Sequence, residues 1–404
     1  MRVTDDLSRS RLTVFFRLLL AIPHFLWLAL WGVGVVLLAI VNWVATLVKG
    51  QAPDGLHRMF AMYINYATHV YAYVSIAANR FPGFLGEPGY EVDLDIDAPA
   101  PQSRVSVFFR LFLAIPALLL ASVMVGVAGG GYTSSDGTDT SSTTGAGVRV
   151  IGILSAAALI SWFYAMFRAR APKGVARLSW YAIHYAAQAY AYLLLVTDRY
   201  PNSDPSVLGA PRPTPPHTIM LRQQEDTLER TRLTVFFRLL LALPHFVWLF
   251  LWSIAAVFAA IANWVATLVR GQSPAGLHGF LASYQRYAVH VQAFVALVAN
   301  PFPGFTGTPG SYPVDVEIAP PEPQRRLWTA FRIFIAIPAL LIQSGLNAAL
   351  YVAAFLGWFA SLVTGRMPRG LRNLGAFALR YGAQTSSFGY LLLTDRYPYA
   401  GPPA

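Results

Sequence analysis

The chain has 404 residues, of which 55% are hydrophobic and 12% are charged. A soluble domain has about 25% charged residues, so this composition argues against a soluble protein and favours a helical membrane protein. The absence of cysteine excludes disulfides, thiolate nucleophiles and cysteine-bound metals. The net charge of +11 fits anionic lipid headgroups and gives no support for a nucleic-acid partner.

An apolar segment containing Phe-Phe-Arg, with a proline six residues after the arginine, recurs along the chain. The copies are Phe15–Pro23, Phe108–Pro116, Phe236–Pro244 and a looser one at Ala330–Pro338. Because the residues after each copy also correspond, we predict four similar units in two duplicated halves. The units cover residues 11–84, 104–201, 232–305 and 325–398. The halves cover residues 1–201 and 231–404, and the proline-rich residues 202–230 form a partly extended linker between them.

Each predicted unit continues into a basic loop of the form Pro-x-Gly and a second apolar helix. Our first prediction is that the Phe-Phe-Arg segment is a short interfacial helix that turns at its proline into one span, which gives about 8 spans in all. The alternative is that this segment crosses or re-enters the membrane by itself, with up to 12 spans. The insertion at 129–147 and the polar stretch 343–347 favour this alternative. An arginine inside the bilayer, at a cost of about 2.5–3.5 kcal/mol, argues against it.

The eight-span arrangement places all Pro-x-Gly loops on one side of the membrane. The loops begin at Pro53, Pro172, Pro274 and Pro368. Their basic residues predict that this side is cytoplasmic, by the positive-inside rule.

Two linkers alternate between apolar and acidic residues, at 90–96 and at 312–318. This period of two predicts short strands, and unpaired backbone is not tolerated in hydrocarbon. We therefore expect these strands outside the membrane, where they could pair with each other. The predicted fold class is an all-α, polytopic helical membrane protein with interfacial or re-entrant helices and short β linkers.

The recurring arginine is the first candidate site. Its copies are Arg17, Arg110, Arg238 and Arg332. An arginine on an interfacial helix can extend its guanidinium to the headgroups. We therefore predict that these residues contact lipid phosphate.

A second candidate site lies in the middle of the second helices, twelve residues after each loop proline. It consists of a polar residue followed by tyrosine: Asn65 and Tyr66, His184 and Tyr185, Arg286 and Tyr287, Arg380 and Tyr381. Such side chains are costly in lipid, so they predict an intramembrane polar site for an anion or an acidic headgroup. The alternative is that they hydrogen-bond across the helices and only fix their packing. The sequence predicts no catalytic residue, no metal site and no cofactor.

Three motifs together resemble a known family: Phe-Arg-x-x-x-x-Ile-Pro, Gly-x-x-Pro-x-Gly-Leu and Thr-Asp-Arg-Tyr-Pro. They lie at Arg17–Pro23, Gly50–Leu56, Arg332–Pro338, Gly365–Leu371 and Thr394–Pro398. The chain resembles the bacterial integral-membrane family with the domain of unknown function DUF4389, which is common in actinobacteria. The first and third units depart from the family's pattern, because they have Phe-Pro-Gly-Phe after the second helix where the others have Thr-Asp-Arg-Tyr-Pro. The resemblance implies the fold and a membrane location but no activity.

These observations predict a non-enzymatic, multi-pass protein of the cell membrane. We expect membrane lipids as partners, with a partner membrane protein or a second copy of the chain as further possibilities. The alternative function is a transporter or channel for a small or anionic solute, built from the two duplicated halves.

Overall fold

The computed structural model describes residues 1–126, 152–208, 217–224 and 227–403, and this part of the chain is mostly helical. The predicted loop at 129–147 lies outside the described residues. The helices are α1 (Arg11–Lys49), α2 (Asp54–Val74), α3 (Arg104–Phe108), α4 (Arg110–Val125), α5 (Ile153–Arg168), α6 (Lys173–Leu193), α7 (Arg232–Phe236), α8 (Arg238–Arg270), α9 (Ala275–Val295), α10 (Arg326–Ala330), α11 (Arg332–Thr364) and α12 (Arg369–Gly389).

The first helix of a unit does not turn at its proline. Pro23 lies inside α1, which runs without a break for 39 residues. A proline removes one helical hydrogen bond but does not force the chain to turn. The second, third and fourth units instead break at the phenylalanine just before the recurring arginine, where α3, α7 and α10 end. The prediction of a short interfacial helix that turns at the proline is therefore wrong.

Three helices of the described chain, α1, α8 and α11, are long and apolar enough to cross a membrane. The eight-span count also needed the second helices, but α2, α6, α9 and α12 are not among these three. The structure therefore supports a helical protein with some apolar helices of spanning length and does not support about 8 spans.

The first helix of the second unit is divided into α4 and α5. A Cβ built on Gly152, just before α5, would clash with the backbone of Gly126, just after α4. The two helices therefore meet end to end, in the place that α1 and α11 occupy in their units. The insertion thus interrupts one long helix and does not separate two independent elements, as the alternative with up to 12 spans expects.

The helices form two layers. The outer layer contains the first helices of the units. In it α1 contacts α5, and both α4 and α5 contact α11. Helix α8 contacts α10, and α11 contacts α7. The inner layer contains α2, α6, α9 and α12, each packed against the first helix of its own unit. The halves meet where α11 crosses the junction of α4 and α5, and a Cβ on Gly345 would lie 3.1 Å from the backbone of Ile153.

Neighbouring units run in opposite directions. The second unit begins beside the loop of the first, where the Gln102 N–H donates to the Gly50 carbonyl oxygen at 2.8 Å. The first unit begins beside the loop of the second, where the Arg9 N–H donates to the Ala169 oxygen at 2.9 Å. The third and fourth units repeat this exchange. Loops of consecutive units therefore lie at opposite ends of the helices, so a spanning arrangement cannot place them all on one side.

The strands are β1 (Arg2–Val3), β2 (Val92–Asp93), β3 (Ile219–Gln223) and β4 (Val314–Ile318). In the described chain β2 pairs with β1, and β4 pairs with β3, both antiparallel. The prediction that the two acidic strands pair with each other is therefore wrong, because each pairs with a strand that precedes the first helix of its own half. Strand β3 and a 3₁₀ turn at Pro205–Leu208 also give regular structure to the predicted linker.

Candidate functional site

The recurring arginine closes the end of the inner helix of its own unit. Arg17 Nη1 donates to the carbonyl oxygens of Tyr73, at 2.8 Å, and Ala78, at 2.9 Å, where α2 ends. Arg238 donates in the same way to the oxygens of Phe294 and Ala299 at the end of α9. The last carbonyl groups of a helix have no partner inside the helix. The guanidinium supplies one.

In the second and fourth units the arginine also forms an ion pair. Arg110 lies 2.6 Å from Asp198, and Arg332 lies 2.8 Å from Asp395. Both aspartates belong to the Thr-Asp-Arg-Tyr-Pro motif. In the third unit Asn300 takes the place of the aspartate, and its Oδ1 accepts a hydrogen bond from Arg238 at 3.1 Å. The motif therefore neutralises a guanidinium that burial would otherwise leave costly.

Each of these guanidinium groups also lies over an aromatic ring of the inner helix. The rings belong to Tyr73 (4.4 Å from the arginine Cζ to the ring centre), Tyr192 (4.0 Å), Phe294 (4.4 Å) and Phe388 (4.5 Å). Arginine over an aromatic face gains a further electrostatic attraction. All four arginines are only 1% exposed. Each of them donates to at least two oxygens of the protein, and their contact with lipid phosphate stays a prediction.

A second capping position was missed in the sequence. The side chain eight residues before the recurring arginine donates to the carbonyl oxygen of a residue with positive φ just past the inner helix. The donor and acceptor pairs are Arg9 and Ile76, Gln102 and Leu195, Arg230 and Leu297, and Gln324 and Leu392. The signal was available, because an arginine or a glutamine occurs at this offset in every unit.

The polar residue of the second helix binds the extended segment that follows it. Asn65 Nδ2 donates to the Gly86 oxygen at 3.0 Å, and its Oδ1 accepts from the Leu94 N–H at 3.1 Å. Arg286 Nε donates to the Val316 oxygen of β4 at 3.0 Å.

The last two polar residues differ in their surroundings. Arg380 Nη2 donates to the Gly401 oxygen at 2.6 Å. His184 lines a cavity of about 480 Å³ with Asp198 and Tyr200. Arg286 lines another cavity, of about 910 Å³, beside β3 and β4. The structure therefore gives these residues separate surroundings, one in each unit.

The tyrosines next to these positions are buried. Tyr66 Oη lies 2.8 Å from His24 Nδ1, and Tyr287 Oη lies 2.7 Å from His245 Nδ1. The His24 ring stacks on Phe84, a residue of the Phe-Pro-Gly-Phe motif, with ring centres 4.5 Å apart. In the other two units the corresponding residues, Tyr185 and Tyr381, are 3% and 0% exposed.

Two buried histidine–aspartate contacts join the inner helices to the acidic strands. His69 Nε2 lies 2.7 Å from Asp93 Oδ1, and His290 Nε2 lies 2.8 Å from Asp315 Oδ1. Burial acts to raise the pKa of Asp315, but hydrogen bonds from His290 and from the Gly310 and Val316 N–H groups outweigh it and lower that pKa below its ordinary 3.8. We missed these contacts in the sequence, although both histidines precede an acidic strand by about the same spacing.

Within the described residues no group of three or more histidine and acidic side chains could hold a metal ion. A cavity of about 440 Å³ lies between α8, α9, α11 and α12. Its polar lining includes Gln285, Gln343, Asn347 and Ser386, and its described lining contains no charged side chain. This cavity offers hydrogen bonds to a neutral molecule.

The model of the family described as "Domain of unknown function (DUF4389)" matches residues 11–86, 232–306 and 326–400, together more than half of the chain. No curated protein and no solved structure matches. The repeated buried arginine and its proline lie inside all of the matched stretches. The chain therefore belongs to the family with the domain of unknown function DUF4389.

Proposed function

We propose that this chain is a non-enzymatic protein of the cell membrane that binds lipids and holds them or partner proteins in place. The exposed apolar surface of the outer helices carries this proposal. Only 11% of the most apolar stretch of α1 and of α8 is buried. Leu12 and Leu30 of α1 are 70% and 69% exposed. A surface of this size and composition would aggregate in water, whereas lipid would cover it.

An apolar crevice supports lipid as the ligand. It has a volume of about 640 Å³ and lies between α5 and α11, with Leu159, Phe163 and Ile335 in its lining. Among the described residues that line this crevice, the basic one is Arg168. An acyl chain in the crevice could therefore bring a phosphate to Arg168.

The hydrogen bonds that the repeated polar residues make within the protein support a scaffold function. Arg17, Arg286 and Arg380 donate to backbone oxygens of their own halves. We propose that these residues fix the units and take no part in chemistry. We also propose that residues 104–201 are a fourth, interrupted copy of the unit.

The proposal is tested by expressing the chain, washing the membranes with alkaline carbonate and analysing the lipids that remain on the purified protein by mass spectrometry. We expect the protein in the membrane pellet with anionic phospholipid enriched over the bulk extract. Arg168→Gln should reduce this enrichment, whereas Arg222→Gln, on strand β3 and outside the crevice, should not. A protein that retains no phospholipid above the bulk ratio would contradict lipid binding.

The uncharged polar cavity favours transport as a second candidate. Because its described lining carries hydrogen-bonding groups without charge, a neutral polar solute would fit it better than the anion we first considered. Purified protein in sealed vesicles should then accelerate the efflux of a small labelled polyol, and Gln343→Leu should slow it. Equal efflux from protein-free vesicles would exclude this candidate.

A further inference from the structure

An extended segment runs along the inner helices α2 and α9, on the side away from the outer layer. Asn65, in the middle of α2, binds Leu94 of this segment, and Gln51, at the loop end, donates to the Pro99 oxygen at 2.9 Å. The third unit repeats the arrangement, with Arg286 on Val316 and Gln272 on Pro321. These segments therefore lie beside the middle of the inner helices.

Charged side chains on these segments face outward. The side chains of Asp95 and Asp97 are 62% and 85% exposed. In the second half Arg222 and Glu317 form an ion pair, with 72% and 39% exposure. If the helices crossed a bilayer, these charges would lie in hydrocarbon at about 2.5–3.5 kcal/mol each on insertion scales. Extended backbone without a closed sheet is not tolerated there either. This face must lie in water.

The outer face has the opposite character. Between Leu12 and Val48 of α1 the sequence contains one charged residue, Arg17, and it is buried. The 39 residues of α1 extend over about 58 Å, and the hydrocarbon of a bilayer is about 30 Å thick. A crossing helix would leave much of this apolar surface in water, whereas a helix in the plane of the membrane would cover all of it.

Basic residues frame the apolar face. Exposed basic side chains lie at both ends of the outer helices: Arg11, Lys49, Arg104, Arg168, Arg232, Arg270, Arg326 and Arg366. Helices that lie in a membrane interface combine an apolar face with lysine and arginine at its border, which contact anionic headgroups. The charges of the molecule therefore match one leaflet of an anionic bilayer.

We propose that the protein lies flat on one leaflet, with the outer helices parallel to the membrane surface and the acidic segments in water. This proposal rests on the membrane location proposed above and replaces spanning by in-plane insertion. The burial of the outer helices fits it. The most apolar stretch of α11, in the middle of the layer, is 39% buried, against 11% for α1 and α8 at its edges.

The opposite directions of neighbouring units make the test decisive. Asp54 and Lys173 are exposed residues of two loops at opposite ends of the helices, and Asp97 lies on the acidic segment. Single cysteines at these positions, and at Leu30 of the apolar face, are introduced into the cysteine-free chain. Sealed inverted vesicles and intact spheroplasts are then treated with a membrane-impermeant maleimide, with and without detergent.

In-plane insertion predicts that Asp54→Cys, Lys173→Cys and Asp97→Cys all react from the same side, with at least tenfold less reaction from the other. Leu30→Cys should react only after detergent is added. Labelling of Asp54→Cys and Lys173→Cys from opposite sides, protection of Asp97→Cys, or ready labelling of Leu30→Cys would overturn the proposal. A protein that leaves the membrane on carbonate washing would instead overturn the membrane location, so the two failures are distinct.

Discussion

The guanidinium of Arg17 donates to the carbonyl oxygen of Tyr73 at 2.8 Å and lies 4.4 Å from the centre of the same residue's ring. Tyr73 is the second-last residue of α2. The helix end therefore presents both a carbonyl oxygen and an aromatic face to one cation. The same geometry at Phe294 and Arg238 indicates that the contact belongs to the unit and is not a local accident.

Replacing this arginine should destabilise the fold. Arg17→Met keeps about the same volume but removes the guanidinium from the buried carbonyl oxygens of Tyr73 and Ala78, of which the Tyr73 oxygen still accepts the Ile76 N–H. A buried oxygen left unsatisfied costs about 1–3 kcal/mol, so we expect the free energy of unfolding to fall by about 1–3 kcal/mol. Thermal unfolding in detergent measures this. The control is Arg11→Met at the exposed start of α1, which should change stability by less than about 0.5 kcal/mol. Equal stability of Arg17→Met and the wild type would contradict the capping role.

The sequence alone predicted the recurring arginine as an important position but not its partners. Repetition identifies positions that matter in every unit, and hydropathy indicates which segments are apolar. Neither reports whether Arg17 points to headgroups or to the end of α2, since both places satisfy a cation at the border of an apolar run. The opposite directions of neighbouring units could not be predicted from the sequence either. They depend on contacts such as that of Gln102 with Gly50, which no local pattern encodes.

The buried Asp315 predicts a loss of stability in acid. Its pKa is lowered below 3.8 in the folded protein, so the unfolded chain takes up the proton first. The stabilisation is fully present above pH 3.8 and is lost as the pH falls through the folded pKa. We expect Asp315→Asn to lower the free energy of unfolding by about 1–3 kcal/mol at pH 7. The difference from the wild type should shrink below pH 3.8.

Melting temperatures of both proteins between pH 7 and pH 3 check this dependence. Asp97→Asn provides the control, because the Asp97 side chain is 85% exposed and should show no such difference. A gap between Asp315→Asn and the wild type that stays constant down to pH 3 would show that the carboxylate charge has no part in the contact.

The crossing at Gly345 predicts a steric limit between the halves. A Cβ at this position would lie 3.1 Å from the backbone of Ile153, whereas Gly34 of α1 has no atom within 4 Å of an added Cβ. Gly345→Val should therefore cost about 1–3 kcal/mol by overpacking. Gly34→Val should be neutral or gain up to about 0.5 kcal/mol, because valine favours a helix more than glycine does. Equal effects of the two changes on thermal unfolding would place the contact between the halves elsewhere.

Disulfide trapping can test the opposite directions of neighbouring units directly. Ser8 and Arg170 form an isolated antiparallel bridge between the start of the first unit and the loop of the second, and Glu229 and Arg366 form the equivalent bridge in the other half. Opposed residues in such bridges have Cα atoms about 4.5–5.5 Å apart, within the range of about 4.4–6.8 Å that a disulfide needs. Ser8→Cys with Arg170→Cys, and Glu229→Cys with Arg366→Cys, should crosslink nearly completely under mild oxidation, as a mobility shift that reduction reverses.

Ser8→Cys with Asp54→Cys joins the start of the first unit to its own loop, which α1 holds about 60 Å away, so this control pair should stay reduced. If the control pair crosslinked and the Ser8–Arg170 pair did not, the units would run in the same direction, and the loops of consecutive units would share one end of the molecule.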